Sequence, residues 1–491
     1  MGAEGPWQLW LFVLGWPAVW AVLALSLPRR WPGAVRFAAW VGWGGTLSGL
    51  AWMALRPPPP LSVWHPEGGA GGEALAFALR ADPLGLALAA VCGGLGLLVQ
   101  IVEGGAAERA RGALVPLLGV LLALLAGNLL TYSMGIFLWE VSVAVMLWAS
   151  GEGNLRRMRG FPGSLGLLLI LLATAPASTA LAFGKEDWPG WVRAGAALAG
   201  LWTAGGYPAV GPAESAAALP RGLRSLVWTL QPALGLALVG RVWAVGPVPG
   251  ASALVPLLLL SALFAACWAD GEANLARLAA TRAAFLGLGM CVVPDAAGAL
   301  PWAVLGFGLG FFCLDVGSSG SLLAAGWGRA LGLLSLAGVP LTPAFLWAVA
   351  GGSSEVFLWW LGLGNALALA PHVWEGPSPA WQLPRPRWRE GGACAALAGM
   401  GALALALGPG AGWSGEAKAL ASALGGAVGA VVLAWLRREA ALVERGARGA
   451  ARAVDPLAWV RGGGRLGREA GSSLRWLLGL WEGRAALLAR R

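Results

Sequence analysis

Lysine, tyrosine and histidine are almost missing from this chain of 491 residues: Lys185 and Lys418 are its lysines, beside 2 tyrosines and 2 histidines. Charge of every kind is scarce, at 12%, where soluble domains carry about a quarter, while 58% of the residues are hydrophobic. That balance excludes a soluble globular protein, a disordered chain and a nucleic-acid-binding module. The 5 cysteines are odd in number and lack CxxC spacing, and Cys92, Cys267, Cys291 and Cys313 sit inside apolar runs. They read as small buried hydrophobes, with neither a metal site nor a disulfide framework indicated. No phosphate-binding loop, metal-ligand cluster or nucleophile–base pair stands out by spacing. What is left is a polytopic membrane protein.

Hydrophobic runs are what the chain has in excess, with a mean hydropathy of +0.69. Apolar stretches of about 17–25 residues are the template for a membrane helix. Runs at 7–27, 34–55, 83–102, 113–130, 131–150, 162–183, 194–211, 223–245, 250–270, 276–294, 297–317, 322–350, 354–374, 392–411 and 415–436 fit it. The fold class is therefore an all-α helix bundle with about 14–15 transmembrane helices. Residues 1–6 lack a positive n-region, so the first run reads as a transmembrane helix and not as a cleaved signal. Residues 56–82 form a loop whose proline run, Pro57 to Pro60, is a stiff extended spacer. The 30 tryptophans fit interfacial belts, although many stand in mid-segment.

The net charge of +10 comes almost entirely from arginine. Threading the runs alternately across the bilayer puts 16 basic residues on one side, among them Arg224, Arg277 and Arg282, and 6 on the other, including Arg241. By the positive-inside rule the N-terminus is outside and the C-terminus cytoplasmic. Residues 437–491 carry 12 arginines among Leu457, Trp459, Trp476 and Trp481, which suits either an amphipathic helix on the anionic inner leaflet or a partly ordered tail.

Two runs contain breakers at their centres: Gly205-Gly206-Tyr207-Pro208 in the seventh, and Gly338, Pro340 and Pro343 in the twelfth. Proline removes a backbone donor and clashes with the preceding turn. Interrupted helices are tolerated in a membrane only where protein or a wet cavity surrounds them, and paired ones point to transporter-type repeats. Plain proline kinks are the alternative. The repeat reading divides the chain into N-terminal helices and an outside loop (1–112), a first five-helix unit (113–245), a second (250–374), C-terminal helices (392–436) and the basic tail (437–491). Glu140 is the acid that falls at a span centre, where insertion costs about 2.5–3.5 kcal/mol, so it should face the interior. It reads either as a proton relay or as a hydrogen-bonded packing residue. Asp315, Asp270, Arg241 and His372 stand near span ends, where solvation at the interface accounts for them.

The order of these features resembles the antiporter-like membrane subunits shared by respiratory complex I, multisubunit Na+/H+ antiporters and membrane-bound hydrogenases. The matching pieces are Arg80-Ala81-Asp82-Pro83-Leu84, Asn128-Leu129-Leu130-Thr131-Tyr132, Trp139-Glu140, the break ending at Pro208, Asn274-Leu275-Ala276-Arg277-Leu278, and Leu336-Ala337-Gly338-Val339-Pro340. Together they cover about residues 75 to 375. The resemblance implies that Glu140 is the fifth-helix glutamate, and that proton-path positions fall at Thr203, Tyr207 and Arg277. It also implies that the family's channel lysines are replaced, by Thr203, by Ala276 and near Ala348. Partners would then be lipid, other membrane subunits, and H+ or Na+, with no nucleic acid. Quinone, flavin or iron–sulfur clusters would belong to partner subunits, because this chain has no motif to bind them. Three readings follow: an ion-translocating subunit, a non-conducting structural subunit of the same kind of complex, and an unrelated secondary transporter. A reporter fused after Arg491 is expected to be active only on the cytoplasmic side; activity outside would overturn the topology.

Overall fold

A computed structural model of the chain describes residues 5–28, 30–64, 77–103, 107–149, 188–205, 216–217, 219–251, 273–292, 294–315 and 332–338, with isolated positions at 166–167, 170, 181–183, 344, 347–348, 362 and 429. Two compact units divide it, Met1–Glu439 and Ala440–Arg491. The second, with the basic tail, lies outside the described residues, as do Asp270 and His372.

The first unit is a bundle of membrane helices. Helices α1 (Gly5–Ser26) and α2 (Pro32–Leu55) form an antiparallel pair. Pro32 opens α2, where its missing N–H costs no helical bond. Small residues bring the two close: a Cβ on Gly49 would meet Val13 at 2.8 Å, and Trp16 Nε1 donates to the Val41 carbonyl at 2.9 Å. Helices α3 (Pro83–Glu103), α4 (Ala107–Leu124) and α5 (Leu129–Ala149) follow. Then come α6 (Gly190–Thr203), α7 (Arg221–Val245), α8 (Ala273–Val292), a 3-10 turn (Pro294–Ala299) and α9 (Leu300–Asp315).

Helix α7 is the centre. It packs against α3, α4, α6, α8 and α9, and 94% of Gly222–Val245 is buried, against 28% of Trp7–Ser26. The outer helices instead expose apolar side chains, as membrane lipid requires. On α5 the exposed stripe is Met134, Phe137, Val141 and Val145, at helical spacing, while Tyr132, Ile136, Trp139 and Val143 face inward. Among the described residues, five helices are long and apolar enough to cross a bilayer.

The runs at 113–130 and 131–150 are two helices, with the break between them a few residues earlier, at 125–128. Leu124 ends α4, and Asn128 caps α5 by accepting the Thr131 N–H at 2.9 Å. The described parts of the 56–82 loop include two short strands. After the prolines, β1 (Leu61–Trp64) pairs antiparallel with β2 (Phe77–Leu79). Val63, Trp64 and Phe77 are their β-favouring residues. The second strand is stitched to the α4–α5 turn, since Arg80 N donates to Leu125 O at 2.8 Å and Gly127 N to Ala78 O at 2.7 Å.

Glycine permits the close crossing of α6 and α7. A Cβ on Gly235 of α7 would strike the backbone of Gly200 and Ala204 on α6, and one on Gly200 would meet Gly235 O at 2.7 Å. Gly235→Val should therefore destabilise the bundle by about 1–3 kcal/mol through overpacking. Gly94→Ala, where nothing lies within 4 Å, should be neutral or mildly stabilising. Thermal unfolding in mild detergent separates the two; equal melting temperatures would refute the crossing.

Candidate functional site: charges and helix breaks around the central helix

Two ion pairs hold α7, one near each end, each joining a buried side chain to a partly buried one. Near its C-terminal end, Arg241 Nη2 meets Asp82 Oδ2 at 2.5 Å. The same guanidinium donates to the Ala123 carbonyl at 3.1 Å and to that of Leu124, the last residues of α4. Asp82 in turn accepts the Gly85 N–H at 2.7 Å, capping α3. The cation thus sits on the negative end of one helix dipole and the anion on the positive end of another, and each dipole adds to the Coulomb attraction. Glycine is required at position 85, because a Cβ there would lie 2.6 Å from Arg241 Nη2. The ring of Phe183, 5.0 Å from the guanidinium carbon, closes the site from the side. Arg80 donates to the Phe183 carbonyl at 2.7 Å and so holds that ring in place.

Toward the other end of α7, Arg224 Nη2 pairs with Asp315 of α9 at 2.6 Å and stacks on Trp228. The two arginines are about 25 Å apart along the helix at about 1.5 Å per residue, close to the thickness of a hydrocarbon core. Between them the buried face carries Thr229 and Gln231.

Helix α6 stops beside Gln231. Thr203 is its last residue, buried, with its hydroxyl donating to the Ala199 carbonyl at 2.8 Å. Gly205 N bonds the Trp202 carbonyl at 3.0 Å, and its φ of +82° takes the chain out of helical geometry, a conformation that favours glycine. The helix at 332–337 ends in the same manner: Gly338 N bonds the Ser335 carbonyl at 3.1 Å, with φ +67°. Helical geometry is present again at Ala344, Trp347 and Ala348. Gly206, Tyr207, Pro208, Pro340 and Pro343 lie outside the described residues.

Glu140 is 9% exposed, on the inward side of α5 between Trp139 and Val143. At about 16 Å from the start of its helix it stands at mid-depth. Thr203 is carried by α6, which packs chiefly on α7. Arg277 is in the first turns of α8, and its side chain lies outside the described residues.

Three readings of charge need correction. Arg241 and Asp315 are not solvated at an interface: they are 6% and 1% exposed and paired as described. Arg282, counted among the loop charges, is in the middle of α8 and 1% exposed. Arg224, counted with them, is an ion-pair partner. Position near the end of an apolar run was an insufficient guide, because helices of different tilt and length bring those ends against one another. A usable signal was present in α7, where one run carries both Arg224 and Arg241. Gln100 on α3 was also missed, and its buried Oε1 has no hydrogen-bond partner among the described residues.

Removing one charge of the Asp82–Arg241 pair strands the other. Asp82→Asn, which keeps the helix cap, and Arg241→Gln are each expected to lower stability by about 3–5 kcal/mol. The Asp82→Asn/Arg241→Gln double variant should lose clearly less than the sum of the two single effects. Unfolding in detergent measures the cycle; additive single effects would show that the pair is not coupled.

Comparison with known proteins finds no protein-family model and no curated relative that matches the chain. Solved structures do match. One is a chain of the Mrp complex from Dietzia sp. DQ12-45-1b, with a TM-score of 0.58 and 16% identity, covering 92% of this chain and 98% of that one. Another is a chain of respiratory complex I from Thermus thermophilus with bound aureothin, with a TM-score of 0.57 and 20% identity, covering 86% and 98%. At these identities the likeness shows the fold, which this chain shares with chains of those two complexes.

Proposed function

We propose that the chain is an integral membrane subunit of a multisubunit complex of the NADH-quinone oxidoreductase, membrane hydrogenase or cation/proton antiporter kind, contributing to proton or Na+ translocation. The observation that carries this reading is the pair of helices terminated at left-handed Gly205 and Gly338, with a buried acid in the same bundle. The whole-chain likeness to chains of the Mrp complex and of complex I supports it.

A helix that stops inside the bundle leaves its last carbonyls to be met by other groups. Side chains and water entering there supply the polar path that an unbroken helix denies. Glu140 is the described carboxylate at mid-depth on an inward face, and a carboxyl group can take up and release a proton where threonine and alanine cannot. Electron transfer, with its quinone, flavin or iron–sulfur clusters, is assigned to partner subunits. The basic tail would lie on the cytoplasmic side.

A second reading, a structural subunit that does not conduct, is favoured by the residues at the channel-lysine positions. Thr203 spends its hydroxyl on its own helix, and Ala276 and Ala348 cannot titrate. Purification in mild detergent is expected to bring other membrane subunits with the full-length chain; isolation alone would favour a stand-alone transporter. In the assembled complex, Glu140→Gln should abolish the share of pumping carried by this subunit, measured as ions moved per turnover. Unchanged stoichiometry would assign the chain to the structural role.

A further inference from the structure

The oxygens around Arg241 come from two helix ends: the Asp82 carboxylate at the start of α3, and the Ala123 and Leu124 carbonyls at the end of α4. One nitrogen, Nη2, takes both Asp82 Oδ2, at 2.5 Å, and the Leu124 carbonyl, while Nη1 takes the Ala123 carbonyl at 3.1 Å. An arginine bound by its shape presents two parallel N–H groups to both oxygens of a carboxylate. Here Asp82 turns its other oxygen, Oδ1, to the Gly85 N–H at 2.7 Å. Arg241 Nε is buried and has no hydrogen-bond partner among the described residues. The fork therefore serves as a point of charge centred on Nη2, with part of its donor set unmet. Gly85 and Phe183 close on that point: a Cβ on Gly85 would lie 2.6 Å from Nη2, and the Phe183 ring stands 5.0 Å from the guanidinium carbon. Arg80 is exposed and donates to the Phe183 carbonyl at 2.7 Å, so it takes none of these three oxygens.

We infer that these three oxygens form a binding site for a compact monovalent cation, Na+, which Arg241 occupies as a tethered substitute. Carbonyls at the C-terminal end of a helix hold sodium in membrane proteins, and hard cations in general take carboxylate and carbonyl oxygen. The end of α4 adds the negative end of its dipole. One carboxylate balances one positive charge, whereas a divalent ion would leave an uncompensated charge away from water. A spherical ion needs no matching of N–H groups, which suits a site where two of the three contacts meet on one nitrogen. In the complete chain Arg241 fills this place, so the ends of α3 and α4 are joined to α7 without a bound ion. Removal of the guanidinium leaves a donor set ready for sodium. The inference stands apart from any reading of ion translocation, because it uses only the contacts between α3, α4 and α7.

The test uses the full-length chain in mild detergent, with radioactive sodium as the probe and choline as the control cation. Arg241→Ala removes the tether and adds no polar group, whereas glutamine would itself bond the oxygens. The variant should retain about one more Na+ per chain than the parent, as a single site requires. Its melting temperature should climb by about 1–3 °C for each tenfold rise in Na+, beyond any climb in the parent, and choline should have no such effect. Asp82→Asn/Arg241→Ala should lose both the extra ion and the added climb. Equal Na+ retention in Arg241→Ala and the parent overturns the inference. Extra retention that survives Asp82→Asn overturns it too, since the ion is then elsewhere. So does restoration of Arg241→Ala by guanidinium and not by Na+, which marks a site for the planar fork. Failure of Arg241→Ala to fold in Na+, guanidinium or choline also overturns it, because the charge must then be tethered.

Discussion

A helix with no lipid-facing side has nowhere to hide a charge, and α7 brings Arg224 and Arg241 into the bundle. Its burial makes an unpaired charge costly, and Arg224 and Arg241 find their partners at the ends of other helices. Arg241 gathers the last carbonyls of α4 and the capping acid of α3. Arg224 takes the last residue of α9. The ion pairs thereby fix how far each neighbouring helix extends along α7, and the glycine crossing with α6 fixes how near that helix comes. Replacing such pairs with hydrophobic residues is often neutral or favourable to stability, so what they contribute here is register.

With register fixed, the interruptions fall at defined places. Gly205 ends α6 beside Gln231 on α7, and Gly338 ends the later helix beside α9. Both use one local solution, an amide bonded three residues back followed by a left-handed glycine. A Cβ on Gly205 would meet Gln231 of α7 at 3.5 Å, and one on Gly338 would meet the Ala344 carbonyl oxygen at 3.6 Å.

Much of the fold was legible because a bilayer imposes length and polarity on each span. The starts of α2, α3, α7 and α8 fall within a few residues of the apolar runs, and Asp82-Pro83 and Asn128 announce their caps in the letters themselves. Glu140 was readable for the same reason, as a lone acid far from either end of its run. The hairpin was not, because four and three residues are too few for periodicity to declare a strand. Arg241, Asp315 and Arg282 were misread for a different reason. Hydropathy measures depth along one helix, and their burial depends on which neighbours arrive at that depth, information that no single run contains.

The link between Asp82 and Arg241 joins positions 159 residues apart. A ribosome that has delivered α3, α4 and α5 to the membrane has made an acid and a ring of carbonyls whose cation has not yet been synthesised. The early helices must wait, partly wet or guarded by the insertion machinery, until α7 emerges and slides between them. Membrane entry and tertiary closure are therefore separate events in the life of this chain, and the second is timed by the appearance of one arginine.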